Sequence, residues 1–262
     1  MMNALKFKPM NNKFLGFCFC LLVLASCEKE QPLSFSAESF TEKDLAECNN
    51  GDCPEITVNY FTVQGEERVS EKINAEIEQF IIASLKTTDE DPNAKGMKQA
   101  ARNFVATYRK DLEQFPDMVG EYVSEINVRN IFENDQLLSV EEQQYTFTGG
   151  AHGYGSTTFD NFDPKTGALL QQKDLFKDWQ AFKEFAENEF RKQHNISENE
   201  SINATGFWFE NDTFYVPENI GFTKDNVIII YNQYDIASYA DGPIELEIPM
   251  EKAKEFLDFS VE

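Results

Sequence analysis

Apolar positions recur with strand or helix spacing from residue 54 onward. Alternation of apolar and polar residues indicates a strand, and recurrence every three or four residues indicates an amphipathic helix. On this basis the first part of the chain contains a strand, two helices and a hairpin. These elements are a strand at 56–60, helices at 69–81 and 100–112, and a hairpin over 122–147 that turns at 133–135.

The second part of the chain mixes strands, turns and helices. Asp178 precedes an apolar stripe that includes Trp179 and Phe182, so its carboxylate can cap a helix. Pro249 suits the first turn of a last helix, because that position needs no hydrogen-bond donor. Strands are predicted at 156–162, 227–231 and 244–248, and helices over 179–190 and after 249.

Runs of strands beside segregated helices are typical of the α+β class. We therefore predict a two-part α+β module, in which a small strand–helix–helix–hairpin domain precedes a mixed antiparallel sheet domain with helices. The predicted divisions are a signal peptide at 1–26, a tether at 27–53, the small domain at 54–148 and the C-terminal domain at 149–262.

The first residues carry the features of an export signal. Three lysines precede an apolar run from Phe14 to Leu24, which is shorter than the roughly 20 apolar residues of a membrane-spanning helix. Leu24-Ala25-Ser26-Cys27 resembles a bacterial lipoprotein signal, and the resemblance implies that Cys27 carries a lipid anchor. Glu28-Lys29-Glu30 resembles the export tag of Bacteroidota surface lipoproteins. We expect an outer-membrane lipoprotein of the cell envelope, either periplasmic or surface-exposed.

Acidic residues outnumber basic residues by more than two to one after cleavage before Cys27. Cleavage removes three lysines and no acid, so the 23 basic and 46 acidic residues of the whole chain become 20 and 46, a formal charge of −26. Such a surface disfavours nucleic acid, because phosphate binding needs lysine and arginine. It attracts a basic partner by electrostatic steering, and it also keeps an exported protein soluble.

Cys48 and Cys53 are the only cysteines left once the signal and the lipid site are set aside. An oxidising compartment favours a disulfide between them, and the intervening Asn-Asn-Gly-Asp is good turn chemistry. So short a loop would contribute about 2 kcal/mol to stability. The spacing is not that of a Cys-x-x-Cys redox motif, and no partner ligands for zinc lie nearby.

The glycine-rich segment over 149–155 is the first candidate for chemistry. It lacks the Gly-Lys-Ser/Thr of a phosphate-binding loop and the Gly-x-Gly-x-x-Gly of a dinucleotide site, so its glycines are better explained by a turn with positive φ. His152 lies near Ser156 and Asp160 in sequence, which formally allows a serine triad. No Gly-x-Ser-x-Gly elbow supports one, and a hydrogen bond of His152 within its loop is the simpler interpretation.

Metal-binding patterns are incomplete. Two histidines cannot supply a three-histidine zinc site. Asp89, Asp91 and Asn93 begin like a calcium loop, but Ala94 and Ala100 stand where that loop needs glycine and glutamate. We expect no cofactor, no metal and no catalytic residue, and the chain is not predicted to be an enzyme.

Two longer stretches resemble a known extracellular module. One is Tyr145–Gly153, which reads Tyr-Thr-Phe-Thr-Gly-Gly-Ala-His-Gly, and the other is Tyr234–Pro243, which an isoleucine-rich strand and a proline-led helix follow. Together they are similar to the extracellular domain shared by anti-sigma-V (RsiV-like) factors, which bind lysozyme, and by certain peptidoglycan deacetylases. The section before them resembles the smaller domain that usually precedes this module, so the resemblance covers about residues 54–260.

The resemblance implies a two-part module that binds protein or cell-wall ligands outside the cell. Neither the cytoplasmic helical domain of the anti-sigma factors nor the histidine ligands of the deacetylases are predicted here, so binding is the function that remains. We expect a lipid-anchored envelope protein that binds or inhibits lysozyme-like muramidases. The alternatives are a peptidoglycan-acting protein that uses His152 and an envelope protein that holds peptidoglycan or another protein passively. The residues expected at the contact surface are Gly149, Gly150, His152, Gly153 and Tyr154.

Overall fold

Two β-sheets, each with helices on one face, organise the chain. The computed structural model describes residues 32–88, 93–117 and 120–261, and these residues form one compact unit. The predicted signal peptide, Cys27, Asp89 and Asp91 lie outside the described residues.

The first sheet has five strands in the order β1-β2-β3-β4-β5. Neighbouring strands are antiparallel except for β2 and β3, which are parallel and are joined by two helices, because a parallel pair needs a long crossover. The elements are β1 (Ser34–Thr41), β2 (Glu55–Gln64), α1 (Glu67–Ser84), α2 (Met97–Gln114), β3 (Val123–Glu133), β4 (Leu138–Phe147) and β5 (Tyr154–Phe162).

One face of this sheet packs on α1 and α2. Ile73, Ile77 and Ile81 belong to the buried stripe of α1, and their spacing is the one that predicted this helix. The pairing of β2 with β3 ends at Asn59. Beyond it, the Asn74 side chain of α1 accepts from the Val63 amide at 2.7 Å and donates to the Val63 carbonyl at 2.9 Å. This side chain therefore takes the place of a strand partner for the end of β2.

Residues 34–41 form β1, so the prediction of a tether over 27–53 is wrong for them. The strand pairs with β2 along its whole length. Phe40 is buried, and the Phe35 ring meets Phe61 edge-on with centroids 5.5 Å apart. The rest of β1 is serine, alanine, threonine and one glutamate, so backbone pairing and two phenylalanines hold the strand in place. Its sequence does not show the apolar alternation of a typical strand, because tertiary pairing supplies the stability.

A disulfide fixes the segment between β1 and β2. Cys48 and Cys53 are bonded, with their Cα atoms 5.7 Å apart. Arg109 of α2 donates to the carbonyl oxygens of Glu47 and Asp52, at 2.9 Å each. The loop is therefore held against α2 and belongs to the folded unit.

The second sheet is antiparallel, in the order β6-β7-β8. Phe182, Ala186 and Phe190 of α4 are fully buried in its core, and the Asp178 carboxylate accepts from the Ala181 amide at 3.0 Å, which confirms the predicted cap. The last helix is a single turn, shorter than its sequence predicts. The elements are α3 (Gln172–Leu175), α4 (Trp179–Gln193), β6 (Ile220–Phe222), β7 (Asn226–Tyr231), β8 (Ile244–Pro249) and α5 (Met250–Ala253).

The two sheets meet where β6 lies against β5 and β4. Gly221 of β6 faces the ring of Phe159, and a Cβ atom at position 221 would fall inside van der Waals contact of that ring. Asn161 of β5 donates to the Ile220 carbonyl at 2.7 Å, and the Ser139 hydroxyl of β4 accepts from a β6 amide at 3.1 Å. Close backbone approach and buried hydrogen bonds therefore join the sheets.

The division predicted between residues 148 and 149 falls between two paired strands. β4 and β5 pair from Thr146–Tyr154 to Leu138–Phe162, so the glycine-rich segment is the turn of a hairpin within the first sheet. The first core includes Phe162, and most of the second core comes after Leu175. No helix within the described ranges is long and apolar enough to span a bilayer.

Candidate binding surface

The two sequence stretches that resemble the extracellular module meet in space. The imidazole of His152 stacks on the ring of Tyr239, with centroids 3.8 Å apart and planes at 24°. The Tyr239 hydroxyl donates to the Gly153 carbonyl at 2.9 Å, and Nδ1 of His152 lies 3.0 Å from the same oxygen. His152 therefore packs the β4–β5 turn against the loop that follows β7.

The glycines of the β4–β5 turn have two different roles. Gly149 and Gly150 both have φ near +92°, and open space surrounds the positions where their side chains would be. A left-handed backbone of this kind favours glycine. Gly153 is buried beneath Tyr145, and a Cβ atom there would lie 2.5 Å from the phenol ring. The absence of a side chain at Gly153 therefore lets the Tyr145 ring pack directly on the backbone next to His152.

Hydrogen bonds to β5 position the loop after β7. The Asn232 side chain accepts from the Thr157 amide at 2.8 Å and donates to the Thr157 carbonyl at 3.0 Å. The Asn219 side chain donates to the same carbonyl at 2.7 Å. Within the loop, Tyr234 has φ of 74°, a conformation that is strained for a bulky residue and is typical of functional segments.

Exposed aromatic side chains concentrate around this loop. Among the described residues, seven large apolar side chains are exposed, and five of them lie beside the 232–239 segment or the β4–β5 turn. The ring of Tyr234 lies 5.7 Å from that of Tyr239, and the Trp208 amide donates to the Ile236 carbonyl at 2.9 Å. We call these five side chains the tyrosine surface. They are Tyr145, Tyr154, Trp208, Tyr215 and Tyr234.

Asp235 places a negative charge within the tyrosine surface. Burial raises the pKa values of Tyr154 and Tyr215, and the nearby Asp235 carboxylate raises both pKa values further. Asp235 is exposed, and its carboxylate accepts from the Asn232 amide at 2.7 Å. A carboxylate beside phenol rings favours a cationic group, because both ion pairing and cation–π attraction act on it. Large aromatic side chains are also the most frequent energetic centres of protein interfaces.

The structure separates the three residues of the formal serine triad. His152 contacts Gly153 and Tyr239, whereas the Ser156 hydroxyl accepts from the Gln144 amide group at 3.0 Å. Asp160 lies four residues further along β5, beneath α1, where burial raises its pKa and the nearby Glu76 carboxylate raises that pKa further. The hydrogen bonds of the described residues therefore contain no relay from serine through histidine to aspartate.

Within the described ranges, no group of three or more His, Cys, Asp or Glu side chains is arranged to hold a metal ion. The second histidine, His194, packs between Phe190 and Phe207, with centroid distances of 4.3 and 4.8 Å. Burial lowers the pKa of His194, so its imidazole belongs to the second core as a neutral ring.

Of the five sequence-predicted site residues, Tyr154 belongs to the tyrosine surface and the other four lie in the turn that precedes it. Gly149, Gly150, His152, Gly153 and Tyr154 form the β4–β5 turn and the start of β5. Sequence reasoning did not assign Trp208, Tyr215, Tyr234 or Asp235 to a site. The Tyr234–Pro243 stretch was a signal for the loop, but the segment that carries Trp208 and Tyr215 has no repeating pattern that would place it beside residue 152.

Two family models match different parts of the chain. Residues 173–251 match a model described as a protein of unknown function, DUF3298, and residues 47–154 match one described as deacetylase PdaC. Each match covers less than half of the chain. The curated proteins give no match.

Two of the solved structures with a similar fold come from different bacteria. A DUF3298 family member from Bacteroides fragilis is 24% identical, with a TM-score of 0.62 over 88% of this chain and 96% of that one. A DUF3298 family protein from Pseudomonas aeruginosa is 18% identical, with a TM-score of 0.57 over 89% of this chain and 97% of that one. The predicted two-part α+β fold is thus confirmed, and the chain is similar in architecture to the DUF3298 structures.

Proposed function

We propose that this protein is a lipid-anchored binding protein of the cell envelope, and that its tyrosine surface binds a basic, lysozyme-like muramidase without turning over a substrate. The observation that carries the proposal is the concentration of exposed aromatic side chains around Asp235, where the β4–β5 turn and the 232–239 loop meet. A soluble protein rarely exposes so many large apolar groups in one place unless a partner covers them.

Charge supports a basic partner. The chain from Cys27 onward has a formal charge of −26, and many lysozymes are strongly basic. Opposite net charges increase the rate of encounter, and aromatic side chains then contribute most of the binding energy once the surfaces are in contact. Asp235 would receive a lysine or arginine side chain between the rings of Tyr154 and Tyr215.

The envelope location rests on the sequence and on the family matches. Cys27 follows a lipoprotein-like signal, and residues 47–154 match the deacetylase PdaC model. We propose that the lipid on Cys27 holds the folded unit at the membrane through the short segment before β1. The protein would therefore meet a muramidase before that enzyme reaches the peptidoglycan.

Binding is expected to weaken as salt rises. Protein lacking the residues up to Cys27 should bind a basic lysozyme at low ionic strength, and affinity should fall about tenfold or more between roughly 0.05 and 0.3 M salt, because salt screens the attraction between exposed charges. Calorimetry gives the affinity, and lysis of cell-wall suspensions measured in parallel shows whether the bound lysozyme is inhibited.

Purified peptidoglycan fragments provide the comparison. Binding to fragments, with no heat on adding lysozyme, would contradict the proposal and favour the alternative of a peptidoglycan-binding protein. Turnover of those fragments that is lost in His152→Ala would contradict the absence of catalysis.

A further inference from the structure

Glu142 is a buried carboxyl group on the helix-covered face of the first sheet. Its side chain points toward α1 along with Val140 and Leu138, and its residue is only 3% exposed. One carboxyl oxygen has no hydrogen-bond partner, and the other lies 3.4 Å from the Thr158 hydroxyl. An ionised carboxylate here would destabilise the folded protein, because burial without a compensating partner disfavours the charged form.

Two more carboxyl groups approach Glu142 from neighbouring elements. Asp160 of β5 pairs with Val140, so it lies diagonally beside Glu142 on the same face of the hairpin, where Glu142 pairs with Thr158. Across the helix–sheet interface, the negative charge of Glu76 on α1 contributes to the raised pKa values of both groups. Burial is the main cause that raises the pKa of Glu142 to about 9, and the charge of Asp160 adds to it. Burial and then Glu76 raise the pKa of Asp160 to about 6.

Among the residues that the structure describes, no cation forms an ion pair with this group of acids. The β3 partner of Glu142 is Val128, and its same-face neighbour in β4 is Gln144, whose amide binds Ser156. The lysine one turn before Glu76, Lys72, donates instead to the Thr166 carbonyl at 2.9 Å. None of the ion pairs formed by the described residues includes Glu76, Glu142 or Asp160.

We infer that Glu142, Asp160 and Glu76 form a proton-dependent clasp between α1 and the β4–β5 hairpin. The clasp is closed while Glu142 holds its proton. Loss of that proton leaves like charges buried at the helix–sheet interface, and the interface weakens. This inference is independent of the proposed binding function, although the hairpin that it controls carries the glycine-rich turn at its end.

The sign of the pH dependence follows from the direction of the shift. The folded protein keeps the Glu142 proton up to a pH near 9, whereas a glutamate in the unfolded chain releases it near its ordinary value of 4.5. Unfolding therefore releases one proton between these limits, and stability falls as pH rises. The unfolding equilibrium constant should rise about tenfold per pH unit between pH 6.5 and 8.5, where Asp160 no longer contributes.

Denaturant unfolding at several pH values tests the clasp. Glu142→Gln should remove that tenfold dependence per pH unit. Glu76→Gln removes a nearby negative charge and so lowers the pKa values of Glu142 and Asp160 in the folded protein, and the fall of stability with pH should therefore end at a lower pH. Glu141→Gln is the matched control: Glu141 is the next residue, lies on the opposite face and pairs with Arg129. It should leave the pH dependence of the wild-type protein unchanged.

An equal pH dependence in wild type and Glu142→Gln would overturn the inference. If Glu142→Gln does not fold, the infrared spectrum of the wild-type protein decides. A protonated carboxylic acid band at neutral pH, which moves on labelling glutamate with carbon-13, supports the clasp. Absence of that band contradicts it.

Discussion

Alanine at position 221 is expected to destabilise the protein by about 1–3 kcal/mol, the usual cost of forcing an extra group into a packed core. The Cβ atom would collide with the Phe159 ring, which is only 7% exposed and cannot swing into solvent without leaving the interface. Any movement of β6 that relieves this collision would also disturb the hydrogen bond from the Asn161 side chain to the Ile220 carbonyl. Denaturant unfolding of Gly221→Ala measures this loss.

Gly120→Ala is the control for the Gly221 substitution. The nearest side-chain atom to a Cβ atom at position 120 belongs to Phe147 at 3.6 Å, an ordinary contact, so the free energy of unfolding should change little. Because Phe159→Ala removes the ring that the new Cβ atom would meet, the two substitutions together should cost less than the sum of their separate losses. A coupling near zero between them would show that collision with the Phe159 ring is not the cause of the loss.

Removing two rings of the tyrosine surface is expected to abolish most of the binding to a basic lysozyme. Tyr154 and Tyr234 are 43% and 52% exposed; Tyr234 precedes Asp235 in sequence, and the charge of Asp235 contributes to the raised pKa of Tyr154. Truncating two central aromatic residues commonly costs about 2–4 kcal/mol, so the affinity of Tyr154→Ala with Tyr234→Ala should fall about 30- to 1000-fold. Calorimetry or a surface-binding assay measures the change.

Phe115→Ala is the matched control for the tyrosine variants. Phe115 is 51% exposed, follows the last residue of α2 and does not belong to the tyrosine surface. Its removal should leave lysozyme affinity within about twofold of wild type. Equal losses in the control and in the tyrosine variants would mean that the surface is not the place of contact.

The helices and most strands could be predicted from the sequence because each satisfies its own pattern. The stripe from Val69 to Ile81 has helical spacing, and Asp178 caps α4 as its position indicates. β1 could not be predicted, because Phe40 and Phe35 are its main apolar anchors and its stability comes from pairing with a distant strand. The division within the chain was misplaced for a related reason, since only strand pairing shows that β5 joins the first sheet.

The candidate surface was predictable in part. The glycine-rich turn stands out locally, and His152 and Tyr154 were expected at a contact surface. The approach of Tyr239, Tyr234 and Asp235 depends on how β7 is placed against β5 by Asn232, which no local pattern encodes. The clasp residue Glu142 was likewise hidden, because it occurs in a run of polar residues and is buried only when α1 covers the hairpin.

Amide hydrogen exchange of the protein with and without a basic lysozyme tests the central claim most directly. We predict slower exchange in two segments, the β4–β5 turn over 149–155 and the loop over 232–239, with little change in α2. Protection confined to other segments, or no protection at concentrations where the lysozyme is soluble and in excess, would contradict binding through the tyrosine surface.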